Sequence, residues 1–175
     1  MKKSAQTSIH ISVAKQRLLL KRGRKTERVY PVSTSRFGLG SDEGSMKTPL
    51  GRFRIAEKIG GGNSITTAYK SREPVPVTPA LLESEDLIMS RILWLEGLEP
   101  QNANTHARYI YIHGTNHEDE IGQPASHGCI RMRNADVAEL FDFVEIGTAV
   151  TIAAPALKRP NGRGEKTVAR KERPA

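Results

Sequence analysis

Polar and apolar residues alternate near the start of the chain. Ile9, Ile11 and Val13 are each separated by one polar residue, as in a strand that buries one face. The mostly apolar residues 17–21 follow closely and are predicted to form the returning strand of a hairpin. The basic residues 21–28 would then form its solvent-exposed turn.

Further extended segments are predicted along the chain. A turn at Pro49 precedes a strand that carries Phe53 and Ile55. Residues 63–86 contain three prolines within six residues, which disfavours regular structure, so we expect a long surface loop that could cover a site. The other predicted strands cover residues 29–35, 91–98, 108–114 and 148–154.

One helix is predicted before the last of these strands. Asn134 is its candidate N-cap, and Gly147 is expected to end it. Between them, apolar residues recur at helical spacing, at positions 137, 140, 141 and 144. The predicted fold class is therefore mainly β with one or two helices.

Charge is distributed unevenly along the 175 residues, whose formal net charge is +8. Residues 1–28 hold nine Lys and Arg against one acidic residue, and residues 157–175 hold seven against two. Residues 29–156 hold 11 basic and 16 acidic residues, a net charge of −5. Nucleic acid is therefore not the expected partner of the core. A basic module whose ends bind nucleic acid or another anionic surface is the alternative from a different functional class.

The expected organisation is a basic N-terminal extension at 1–7, one domain at 8–156 and a basic, disordered tail at 157–175. No run of apolar residues is long enough to span a membrane. The first residues lack the apolar run of an export signal, which predicts a cytoplasmic protein, or a periplasmic one if a signal had been removed. The oligomeric state is not predicted.

Candidate chemistry is concentrated in residues 111–134, which hold three of the five histidines and the only cysteine. A lone Cys129 excludes an intramolecular disulfide, and a nucleophilic thiol needs a nearby base or a positive field. His113, at the end of a predicted strand, and His127, two residues before the cysteine, are both candidates for that base. The carbonyl group of Gly114 could orient His113.

The surrounding residues suggest further roles. The N–H groups of Gly128 and Cys129 could stabilise an oxyanion, and Arg131 could bind a substrate carboxylate. Two alternatives remain open from the residues alone. Cys129 could be purely structural, or a zinc ion could be held by His113, His117, His127 and Cys129.

The segment SHGCIRMRN at 126–134, preceded by YIHGT at 111–115, resembles the signature of the YkuD-type L,D-transpeptidases. The likeness extends to TPLGRF at 48–53 and to residues 141–152. It implies a YkuD-like mixed β sandwich with neither metal nor cofactor. The implied catalytic residues are Cys129 as nucleophile, His113 as base and Gly114 as its orienter. The implied oxyanion and substrate-binding residues are Ser126, His127, Gly128 and Arg131.

The same resemblance implies a reaction and a partner. The substrate would be a peptidoglycan stem peptide or a muropeptide, cut through a thioester between a diamino acid and the terminal D-alanine. Water as acceptor makes an L,D-carboxypeptidase of muropeptide recycling, whereas an amine makes an L,D-transpeptidase or a D-amino-acid exchange enzyme. Resemblance to members without an export signal favours the carboxypeptidase.

Overall fold

The computed structural model describes residues 5–83 and 86–154. In this part of the chain, ten strands and two α-helices are joined by loops and by short 3-10 turns at Pro100–Asn102 and Glu118–Glu120. In chain order the elements are β1 (Thr7–Ser12), β2 (Arg17–Arg22), β3 (Lys25–Pro31), β4 (Gly51–Ile59), β5 (Ala68–Lys70), β6 (Glu73–Val75), α1 (Pro79–Leu82), β7 (Ile88–Gly97), β8 (Tyr111–Gly114), β9 (Ile130–Met132), α2 (Asn134–Phe143) and β10 (Ala149–Ala153).

The strands form one mixed sheet that branches at β7. The main path runs β3-β2-β1-β10-β4-β7-β5-β6, while β8 pairs with β7 and with β9. The β1–β10 and β8–β9 pairs are parallel, and the other pairs are antiparallel. The prediction of a mainly β fold with one or two helices is therefore confirmed. No helix in the described residues has the length and apolar character needed to cross a membrane.

The alternating pattern at the start of the chain builds one side of the core. Ile9 lies opposite Leu20, and Ile11 lies opposite Leu18, with all four side chains essentially inaccessible to solvent. They pack in the same apolar cluster as residues of β4, β8, β9, β10 and α2. Both branches of the sheet therefore share one core.

The basic stretch 21–28 is mostly strand, so its prediction as a turn is wrong. The turn is confined to Gly23 and Arg24, between β2 and β3. Gly23 has φ +60°, which a tight hairpin turn requires and which glycine adopts without strain. Two of the arginines form ion pairs, Arg22 with Glu27 at 3.2 Å and Arg28 with Glu139 at 3.3 Å.

The predicted loop at 63–86 contains regular structure, which corrects the expectation drawn from its prolines. Strands β5 and β6 form a hairpin, and Pro74 lies on the edge strand β6, where a missing N–H is tolerated. Pro79 occupies the first turn of α1, and the Thr78 hydroxyl accepts a hydrogen bond from the N–H of Leu81 at 3.1 Å. Both prolines thus occupy positions that regular structure allows.

Helix α2 follows the predicted apolar pattern, but its N-terminus differs from the prediction. Arg133 is the N-cap, and Asn134 is already helical. The Asn134 side chain accepts a hydrogen bond from the N–H of Thr115 at 3.0 Å and donates one to the Thr115 carbonyl at 2.9 Å. This residue therefore ties the helix to the end of β8. The helix ends at Phe143, and Gly147 lies in the turn that leads to β10.

Candidate active site

Cys129 lies directly before β9 and next to β8, the strand that carries His113. His113 lies opposite Arg131 in the parallel register, and paired residues project from the same face of a sheet. Cys129 precedes Arg131 by two residues, as Tyr111 precedes His113. The Cys129 sulfur accepts a hydrogen bond from the Tyr111 N–H at 3.3 Å and donates one to the Tyr109 carbonyl at 3.3 Å. The structure thus places the thiol beside the strand that carries His113.

His113 is oriented by its own neighbour in the sequence. Its Nδ1 lies 2.5 Å from the Gly114 carbonyl oxygen, which can only accept, so Nδ1 carries the proton and Nε2 keeps a lone pair. Burial lowers the pKa of His113, although the Asp86 carboxylate and the Gly114 carbonyl oppose this shift. The side chain is 1% exposed. A neutral imidazole with a free Nε2 is the form in which histidine acts as a general base.

Gly114 is required by the packing around it. A Cβ atom at this position would lie 2.7 Å from the Met89 carbonyl oxygen and would collide with Asn134 Oδ1. Because Asn134 and Met89 belong to α2 and β7, a larger residue would push the end of β8 away from both elements. The carbonyl group that orients His113 is therefore positioned by contacts that only glycine permits.

The Cys129 thiol is strongly protonated in this environment. Cys129 is only partly buried, yet the protein around it removes enough solvent to raise the pKa of the thiol to about 12, and the Asp86 carboxylate adds to the rise. The Tyr111 N–H, Arg131 and Arg108 act in the opposite direction. Arg108 also donates a hydrogen bond to the Lys47 carbonyl at 2.8 Å, which holds the loop before β4 near the site. At neutral pH the thiol therefore needs a base before it can act as a nucleophile.

The turn before Cys129 is held by side-chain hydrogen bonds. The buried Ser126 hydroxyl donates to the Cys129 carbonyl at 2.6 Å and accepts from the Gly128 N–H at 3.3 Å. Gly128 has φ +122°, which a residue with a side chain rarely adopts. Thr48, from the TPLGRF segment, donates to the Gly128 carbonyl at 3.0 Å. The oxyanion role of Gly128 stays a prediction.

Removal of the Ser126 hydroxyl should loosen this turn. Ser126→Ala leaves the Cys129 carbonyl and the Gly128 N–H without their partner, so we expect a loss of about 1–3 kcal/mol in the free energy of unfolding. Urea denaturation would measure it. Ser126→Thr keeps the hydroxyl and is the matched control. Equal stability of Ser126→Ala and the wild type would contradict this account of the turn.

Arg131 lies in the site, but its guanidinium group is already paired. The side chain is 2% exposed, with Nη2 2.6 Å from the Asp86 carboxylate and Nη1 2.8 Å from that of Glu120. His127 is drawn into the same group, with Nδ1 3.4 Å from Asp86 and Nε2 2.6 Å from the Arg36 guanidinium. The predicted contact of Arg131 with substrate is therefore possible only after one of these carboxylates moves.

Sequence reasoning missed the acidic members of this group. Asp86 ends the segment that was expected to be irregular, and it lies 45 positions from Arg131, too far for any spacing rule to connect them. Burial tends to raise the pKa of Asp86, but His113, Arg131 and His127 together hold it below its usual value. Asp86 is therefore a carboxylate at neutral pH.

The four residues considered for zinc do not form a ligand set. His117 Nε2 lies 3.2 Å from the Asn116 amide nitrogen, while His113 and His127 contact Gly114, Asp86 and Arg36. Within residues 5–83 and 86–154, no three His, Cys, Asp or Glu side chains are placed to hold a metal ion.

The mixed sheet, with His113 on β8 and Cys129 directly before the paired strand β9, places the protein among the mainly β proteins. Residues 6–152 match the model of YkuD, the L,D-transpeptidase catalytic domain, and the chain belongs to this family of enzymes. The resemblance carried by residues 111–134 is thereby confirmed. The family acts on peptidoglycan peptides.

Individual relatives agree with this assignment. The protein named "Probable L,D-transpeptidase YcfS" of Escherichia coli (strain K12) is 30% identical over 150 residues, which cover 80% of this chain and 42% of that protein. YqjB of Bacillus subtilis (strain 168), also named an L,D-transpeptidase, is 48% identical over 48 residues, or 27% of each chain. The chain thus spans less than half the length of these relatives.

A solved structure shows the same fold. The crystal structure of the L,D-transpeptidase (residues 123–326) from Xylanimonas cellulosilytica DSM 15894 superimposes with a TM-score of 0.57. The match covers 87% of this chain and 63% of that one, at 20% sequence identity. At this identity the comparison shows the shared fold.

Proposed function

We propose that this protein is a cysteine acyltransferase that acts on the tetrapeptide stems of peptidoglycan. His113 Nε2 takes the proton of Cys129, and the sulfur attacks the carbonyl carbon between the diamino acid and D-alanine. The C–N bond then breaks, D-alanine leaves with a proton from His113, and a thioester to Cys129 remains. The observation that carries the proposal is the His113–Gly114 hydrogen bond, which leaves Nε2 free as a base beside the strand end that holds the thiol.

The other residues of the motif support the same reaction. The N–H group of Cys129 would stabilise the oxyanion of the tetrahedral intermediate, and that of Gly128 would join it on leaving the Ser126 hydroxyl, which accepts its hydrogen bond at 3.3 Å. Arg131 and His127 would bind the substrate on the side of the leaving group. Ser126 would act indirectly, because it fixes the turn that presents these N–H groups.

We further propose that water is the preferred acceptor of the acyl group. The polar cavity next to Arg131 and His127 has a volume of about 180 Å³, and polar side chains that can bind water line it. The protein would then be an L,D-carboxypeptidase of muropeptide recycling and would act in the cytoplasm.

Incubation with a disaccharide tetrapeptide, followed by mass spectrometry, tests both parts of the proposal. We expect the wild type to release D-alanine and leave the tripeptide, and Cys129→Ala to leave the tetrapeptide intact. Addition of a different D-amino acid distinguishes the acceptors, because an exchanged tetrapeptide indicates amine transfer and tripeptide alone indicates hydrolysis. Equal turnover by the wild type and Cys129→Ala would refute the cysteine mechanism.

A further inference from the structure

Asp86 sits between the cationic side chains of the site and a second cavity. On one side, its Oδ2 atom contacts Arg131 and His127 within the polar cavity of about 180 Å³. On the other side, Asp86 lines an apolar cavity of about 470 Å³ with Tyr69 and Leu87. Asp86 therefore borders both the polar part of the site and a larger apolar space.

The contacts of Asp86 are those that a bound carboxylate ligand would make. Arg131, which is 2% exposed, donates from Nη2 at 2.6 Å, and His127 Nδ1 is 3.4 Å away. The fit is incomplete, since Asp86 Oδ1 and Arg131 Nε are buried with no hydrogen-bond partner among the described residues. A planar guanidinium group binds a carboxylate best through two parallel hydrogen bonds, and this pair forms one.

Cys129 lies two residues, about 6.6 Å in an extended chain, before Arg131. In the substrate, the terminal carboxylate lies one residue, about 3.5 Å, beyond the carbonyl that the thiol attacks. The long side chain of Arg131 has to span the difference. A carboxylate that binds its Nη2 atom must take the place that Asp86 now occupies, 2.6 Å away.

We propose that Asp86 mimics the terminal carboxylate of the substrate. In the free protein the Asp86 carboxylate binds Arg131 and His127, and it leaves both when the C-terminal carboxylate of the incoming peptide binds in its place. This inference rests on the proposed function and adds to it a carboxylate subsite and the residue that closes it. The exchange replaces one carboxylate by another, so the buried Arg131 is never left without a counter-charge.

Withdrawal of Asp86 frees the place beside Arg131 for the carboxylate of a ligand. Asp86 lines both the polar and the apolar cavity, so its withdrawal changes the wall of each. Peptides with a free C-terminal carboxylate would thereby be selected over amidated or extended ones.

Binding of a small carboxylate tests this inference without turnover. N-acetyl-D-alanine and N-acetyl-D-alaninamide would be titrated by NMR into Cys129→Ala and into the double variant Cys129→Ala/Asp86→Asn. If Asp86 occupies the subsite about 90% of the time, its neutralisation should tighten binding of the acid about tenfold. Binding of the amide should not change. Asp119→Asn, an exposed change in the loop that bears Glu120, is the matched control and should leave both affinities unchanged.

Each outcome supports or contradicts the proposal that Asp86 occupies the carboxylate subsite in the free protein. Equal changes for acid and amide, unchanged or weaker acid binding, or no acid binding to the double variant would overturn it. Asp86→Ser, which also removes the charge, replaces the asparagine variant if thermal unfolding shows that the latter does not fold. Acid-selective tightening in a protein that does not process tetrapeptides would leave the subsite standing and refute the proposed function.

Discussion

Replacement of His113 by Gln is expected to lower kcat for the tetrapeptide by about 10²–10⁴-fold, the range usual for loss of a general base. The loss should fall at the upper end, because burial raises the pKa of the Cys129 thiol to about 12 and leaves almost no thiolate at neutral pH. Glutamine can still donate a hydrogen bond to the Gly114 carbonyl, but it offers no basic nitrogen. The variant therefore removes proton transfer and preserves the polar contact.

Single-turnover experiments would locate the effect. Mass spectrometry of the quenched protein should show slow formation of the acyl-enzyme in His113→Gln and little change in KM. His10→Gln is the matched control, since His10 lies on β1, which borders neither β8 nor β9. If His113→Gln formed the acyl-enzyme at the wild-type rate, His113 would not be the base, and His127 would be the next candidate.

Local patterns predicted those parts of the fold that local physics determines. The alternation of Ile9, Ile11 and Val13 predicts a strand with one buried face, and β1 has its two isoleucines in the core. The helix near 134–144 also follows from apolar spacing alone. In contrast, Asn134 is a good N-cap by residue type, but its side chain binds Thr115 because β8 ends beside the helix. Tertiary packing, and not the residue type, therefore determines what the Asn134 side chain binds.

The candidate site divides in the same way. His113 and Cys129 stand out because of the motif around them, and the Gly114 carbonyl follows from its place in the sequence. Asp86 and Glu120 carry no motif and reach Arg131 only through the folded chain. The tight packing that requires glycine at position 114 likewise depends on β7 and α2, which no pattern near residue 114 describes.

The free thiol is expected to be slow towards alkylating agents and to respond to pH far above neutrality. With its pKa raised to about 12, Cys129 should react at pH 7 about 10³-fold more slowly than an ordinary thiol, whose pKa is about 8.5. Because a raised pKa keeps the thiol protonated, the rate should still be rising at pH 10. Cys129 is the only cysteine, so incorporated iodoacetamide reports on this residue alone.

The pH profile of the folded wild type is to be compared with those of the unfolded chain and of Asp86→Asn. The same chain unfolded in urea should show the ordinary thiol profile, with a plateau above about pH 10, because burial no longer opposes ionisation. Asp86→Asn should react faster than the wild type at every pH below the plateau, since the Asp86 carboxylate contributes to the raised pKa. A folded wild type whose rate levelled off near pH 8 would mean that the thiolate is already stabilised in the free protein. Proton transfer to His113 would then precede substrate binding, and the site would hold a preformed ion pair.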